Sequence, residues 1–205
     1  MNIKQLFAAA CLMGGLCAGA VQAAVVDFED VVQVDCTTGP ITSGGYVFTG
    51  LSGLSHCVAA PVDNAPNANN GTSFLIEGND VMVVTNELGL AFTALSVDLG
   101  TSYDTTTPVN HVTVTGALAG GGTVAQTFTI SDQFQTFVLD GFVDLVSLFF
   151  EGPLDPNPNG GFGYYALDNL VVRVGGEPPT DVPLPPTLPL VLLGLGALAA
   201  SRRRA

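Results

Sequence analysis

Oxygen-bearing side chains that could hold a hard cation gather in two stretches far apart in the chain. Val26-Asp27-Phe28-Glu29-Asp30 lies near the start, and Ala166-Leu167-Asp168-Asn169-Leu170-Val171-Val172 lies near the far end of the same apolar region. Strand alternation places Asp168 with Ala166, Leu170, Val172 and Val174, the expected core face. A carboxylate there needs a cation or strong hydrogen-bond donors. Two readings stay open: a structural calcium held by Asp168 with Glu29 or Asp30, or an aspartate at a strand mouth that accepts backbone N–H bonds. Parity sets Glu29 opposite Val26 and Phe28, so either the strand bends at its end or Asp30 supplies the ligand. Calcium takes about six to eight oxygens, and backbone carbonyls would complete the shell.

Other reactive groups are few. Asp155-Pro156-Asn157-Pro158-Asn159-Gly160 matches the first half of a calcium loop, but position twelve is Ala166 where the bidentate Glu belongs, and a Pro/Asn/Gly turn accounts for the same residues. His56 and His111 are the only histidines, too few for a zinc cluster. His56 beside Cys57 could suggest a nucleophile and its base, yet neighbouring strand residues point to opposite faces. No G-x-S-x-G elbow, H-E-x-x-H or phosphate-binding loop occurs. A glycosidase-type carboxylate pair has 16 candidates between residues 24 and 176 and nothing to choose among them. The expectation is a protein that is not an enzyme, with a polysaccharide-active enzyme as the lower alternative.

These side chains must be positioned by strands. Residues 24–176 run as short alternating stretches separated by Gly, Pro, Asn and Asp, with no helical period long enough for a core helix. Strands are predicted at 25–30, 46–49, 74–76, 81–85, 91–99, 111–117, 124–130, 136–139, 143–150 and 164–174. This number of short strands suits an all-β, two-sheet antiparallel β-sandwich of jelly-roll type. In His111-Val112-Thr113-Val114-Thr115 and Thr127-Phe128-Thr129-Ile130 the apolar residues take one face and threonines the other. The Asn-rich stretch 63–71 is expected to be a surface loop. Tyr103, Tyr164 and Tyr165 could stack on sugars if exposed, or serve ordinary packing.

The ends carry addresses. Lys4, an apolar run over 6–20 and Val21-Gln22-Ala23 form a secretory signal peptide over 1–23, with a helix expected there. Its removal by signal peptidase discards Cys11 and Cys17, leaving Cys36 and Cys57 as a disulfide pair in an oxidising compartment. At the other end, a Pro-rich linker occupies 177–187, and 188–205 is a short apolar helix with a basic terminus. Thirteen apolar-run residues at 188–200 reach only about 20 Å as a helix, short of the ~30 Å hydrocarbon core, so a permanent span is not expected. Between 24 and 176, Arg173 alone faces 16 carboxylates, a formal −15. That field repels phosphate backbones and excludes nucleic acid as a partner.

The order Val182-Pro183-Leu184-Pro185-Pro186, apolar helix and Arg202-Arg203-Arg204 resembles the PEP-CTERM sorting signal in its VPLPA-type variant, also labelled an ice-binding protein C-terminal domain; Pro186 stands where the variant has alanine. That label brings no ice chemistry to the mature domain, which has no regular Thr-x-Thr repeat. The resemblance implies sorting by an exosortase in a Gram-negative bacterium, transient inner-membrane anchoring, and a final place at the cell surface or outside it. The two acidic strings quoted first resemble the opening and closing strands of MAM-like and carbohydrate-binding-module-like jelly rolls, which implies calcium at Glu29, Asp30 and Asp168. Together these imply a structural or adhesive protein of the envelope or biofilm matrix, with a lectin-like module for exopolysaccharide or another glycan as the alternative.

Overall fold

The computed structural model describes residues 23–32, 36–59, 68–78, 80–102, 111–152 and 164–175. The signal peptide, the linker, the sorting motif with its arginines and the two expected terminal helices lie outside these residues, as do Tyr103 and the 155–160 turn. Everything described is strand or connection: β1 Ala24–Val26, β2 Ile41–Ser43, β3 Tyr46–Gly50, β4 Cys57–Ala59, β5 Phe74–Gly78, β6 Val81–Asn86, β7 Phe92–Ser102, β8 His111–Leu118, β9 Thr123–Thr129, β10 Gln135–Val138, β11 Leu145–Glu151 and β12 Tyr164–Val174. Among the described residues no helix is long and apolar enough to cross a membrane.

All strand pairs are antiparallel, and the ladder curls into two leaves. One leaf runs β4-β5-β12-β7-β10, with β1 added along β12; the other runs β2-β3-β6-β11-β8-β9. They are joined where Leu145 of β11 pairs with Phe92 of β7. The all-β two-sheet jelly-roll expectation is thus met. Curling leaves a closed apolar interior instead of a broad exposed face, and Phe28, Phe48, Leu75, Met82, Phe92, Leu99, Phe142, Leu148, Phe150 and Leu167 fill it from both leaves. Edge-on ring pairs, Phe28 with Phe48 at 5.0 Å and Tyr46 with Phe92 at 5.2 Å, add geometry to burial.

Two strands escape the sequence pattern, β2 and β4, each three residues long. Runs that short show no measurable alternation. β1 is shorter than expected because the backbone turns at Phe28, whose φ of 58° is left-handed. The bend sends the Phe28 ring into the core and frees Glu29 from strand parity. The Cys36–Cys57 disulfide is formed and spans a separation of 21 residues. Beside it, Thr37 and His56 exchange both backbone hydrogen bonds at 2.9 Å, so the covalent link ties 36–37 to the start of β4.

Candidate functional site

Asp168 is fully buried, but not on the core face. Leu167 pairs with Leu99 and points inward, so Ala166 and Asp168 occupy the outer face of the first leaf. The expected alternation fails one residue later, where Asn169 adopts φ 47° and the β12–β7 register shifts. This bulge flips the parity and returns Leu170 and Val172 to the interior. Asn is among the residues that tolerate that conformation, but the sequence alone did not mark the flip.

What buries Asp168 is the loop before β5. Asn70 Nδ2 and Thr72 Oγ1 each donate to Asp168 Oδ2 at 2.8 Å, and the Asn169 backbone N–H donates to Oδ1 at 2.7 Å. Ala68 closes over Gly100, where an added Cβ would stand 2.3 Å from the alanine methyl. The far side of the loop is held by Glu29, whose Oε1 accepts the Ser73 N–H at 2.7 Å. Residues 69–71 are exposed, as the surface-loop expectation requires, and residues 68–73 are clamped by two of the carboxylates singled out in the sequence. Asp30 lies elsewhere: it accepts from Ser43 Oγ at 2.5 Å and the Gly44 N–H at 2.9 Å, bonds that hold its carboxyl below the usual range.

Asp98 is the acidic member that sequence reasoning missed. It sits directly across from Asp168 in the β7–β12 ladder, a placement visible only once register is known. Like charges opposed on a sheet repel. Asn169 Nδ2 spans them, donating to Asp98 Oδ2 at 2.9 Å and approaching Asp168 Oδ2 at 3.4 Å, while Thr136 Oγ1 donates to Asp98 Oδ1 at 2.5 Å. Burial raises the Asp168 carboxyl, its hydrogen bonds work against that rise, and the Asp98 charge adds to it. The groups that face Asp168 are N–H and O–H donors, which satisfy the buried carboxylate by hydrogen bonding. Asn70 and Thr72 present donors to Asp168, and Glu29 is engaged separately by Ser73 on the far side of the loop. Among the described residues no three acidic, His or Cys side chains form a metal cluster.

A second surface lies on the outer face of the other leaf. Strand pairing aligns Thr49, Val83, Phe149, Thr115 and Ala125 in one row, and Val81, Glu151, Thr113 and Thr127 in the next. The Thr113 and Thr127 hydroxyls lie 3.0 Å apart. Phe149 is half-buried in the first of these rows. Tyr164 and Tyr165 are not part of this face. Tyr165 is fully buried and donates its hydroxyl to the Phe150 carbonyl at 3.0 Å, and Tyr164 packs beside Ile76 and Phe74 on the first leaf.

No family model and no curated protein matches the chain. Among solved structures it is similar to a carbohydrate binding module of family 29, at 14% identity and TM-score 0.43 over 75% of this chain and 89% of that one. The CBM22-1–GH10 modules of Clostridium thermocellum xylanase 10B, complexed with xylohexaose, align at 12% identity and TM-score 0.38 over 73% of this chain and 30% of that one. A CBM4 structure aligns at 13% and 0.28, over 75% and 87%.

Proposed function

We propose that this is an exported, adhesive protein of the cell envelope or extracellular matrix that binds polysaccharide and does not turn it over. The observation that carries the reading is the outer face of the second leaf, where half-buried Phe149 lies between Val83 and Thr115, with Thr113 and Thr127 in the next row. Hydroxyls donate and accept, as sugar hydroxyls do, and an aromatic ring offers its face to the C–H side of a pyranose. Export and sorting follow from the leader and from Val182, Pro183, Leu184, Pro185 and Pro186 with Arg202, Arg203 and Arg204, which an exosortase would read. A structural calcium at Asp168 belongs to the same proposal as an ion that steadies the fold.

The test is retention of the secreted protein on a glycan array and on exopolysaccharide, with reducing-sugar release measured in parallel. Binding without release is expected, and Phe149→Ala should weaken it about tenfold, the worth of one aromatic contact. Sugar release would make the protein an enzyme, and no retention by any polysaccharide would end the binding reading.

A further inference from the structure

Two leucines are held in water at the end of the sandwich from which the tail departs. Leu88 is 79% and Leu90 47% exposed, in the turn between β6 and β7. The turn is pinned: Asn86 Oδ1 accepts the N–H groups of Leu88 at 3.0 Å and Leu90 at 3.4 Å, and the Asn86 carbonyl accepts that of Gly89 at 2.9 Å. Glu87 N–H donates to the Gly45 carbonyl at 2.9 Å, fastening the turn to its neighbour. Such a turn cannot fold its leucines back onto the core. The last described residue is tied to the same place, with Gly175 N–H on the Ala91 carbonyl at 3.0 Å and Thr93 Oγ1 on the Gly175 carbonyl at 3.1 Å. Val174, also exposed, stands beside it as the partner of Phe92.

We propose that this leucine tip contacts the lipid bilayer while the tail is attached. The inference rests on the reading of the tail as a membrane-seeking sorting signal. From position 176 the chain offers a Pro-rich tether of residues 176–187, which spans at most roughly 40 Å even when fully extended. Apolar residues 188–200 and three arginines follow. Insertion of that segment holds the Gly175 end within tether reach of the surface, and the exposed apolar side chains at that end are Leu88, Leu90 and Val174. Leu51, 66% exposed, is bonded to Val81 at the opposite end of β6 and would face away.

The chain has no tryptophan, so a single introduced Trp reports its own surroundings. Full-length Leu88→Trp, Leu51→Trp and Leu193→Trp proteins are each reconstituted into phosphatidylethanolamine–phosphatidylcholine vesicles carrying brominated acyl chains. Emission should be quenched at 193 and several-fold more strongly at 88 than at 51. Quenching at 193 with equal values at 88 and 51 overturns the tip proposal and leaves the tail reading standing. No quenching at 193 removes the tail reading and this inference with it. A blue-shifted Leu88→Trp emission without vesicles would assign the tip to contact with another protein chain instead.

Discussion

His56 Nδ1 lies 3.8 Å from Glu77 Oε2, and both side chains are wholly enclosed. Among the described residues neither of these atoms, nor His56 Nε2, has a hydrogen-bond partner. Glu77 pairs with Tyr165 across the β5–β12 ladder and points inward with it, at the end of the core near Gly50. Gly50 makes the room, since a Cβ there would stand 2.8 Å from Asp80 Oδ2 and 3.4 Å from His56 Nδ1. Burial pushes the Glu77 carboxyl up to about 8, against the opposing Gly78 N–H bond and helped by the Asp80 charge.

The fold is therefore predicted to weaken as pH rises. The folded protein keeps a proton on Glu77 that the unfolded chain releases near 4.5, so this contribution is complete below 4.5 and lost as pH climbs through about 8. The slope approaches about 1.4 kcal/mol per pH unit inside that window. Denaturant midpoints across it should fall in the wild type and stay nearly level in Glu77→Gln; parallel profiles would show that Glu77 does not titrate there.

Asp80 shapes the acid side. Its burial acts to raise the carboxyl, but N–H groups of Ser52, Val81 and Leu54 outweigh that and hold it below 3.8. Stability from this group is present above 3.8 and is lost as pH falls through its lowered value. Asp80→Asn should erode the acid arm and loosen residues 51–55 to amide exchange. Unchanged exchange in that loop would refute its role as anchor.

Asp168→Ala leaves the Asn70 Nδ2 donor without its acceptor, while the Thr72 hydroxyl keeps Asn70 Oδ1, a loss of about 1–3 kcal/mol seen as a lower melting temperature. If calcium also binds, free calcium at 100 times its Kd adds about 2.7 kcal/mol, and Asp168→Asn removes most of that gain. A wild-type melting temperature equal in calcium and in chelator would leave Asp168 as a loop clamp alone.

Reducing Cys36–Cys57 should cost about 3 kcal/mol, because the bridge closes a loop spanning 21 positions in the unfolded chain. Thermal unfolding with and without reductant measures this. Two free thiols on unreduced, leaderless protein would contradict it.

Mass spectrometry of the secreted pool should find the apolar stretch 188–200 and the terminal arginines missing. Intact Arg204 there would end the sorting proposal.

The disulfide and the closing strand β12 were legible because cysteine count and a long apolar run rich in β-branched and aromatic residues are strong local signals. Asp168 was legible as an anomaly, but its face was misassigned, since a single left-handed residue at 169 reverses parity downstream. Asp98 and the Asn70–Thr72 clamp depend on register and on a loop closing from 98 positions away, which no short window contains. Glu77 was hidden differently. Every residue of β5 is buried, so Phe74-Leu75-Ile76-Glu77-Gly78 offers no alternation to say which way the carboxyl points.

The strand made last is also a central one. β12 lies between β5 and β7, and β1 adds along it, so the first leaf has no middle until residues 164–174 arrive. On the proposed export N-terminus first, the second leaf can pair before β12 emerges, but the first leaf cannot. β5 and β7 are joined only when residues 164–174 are free, so on that proposal the first leaf closes as the segment next to the proposed sorting signal emerges.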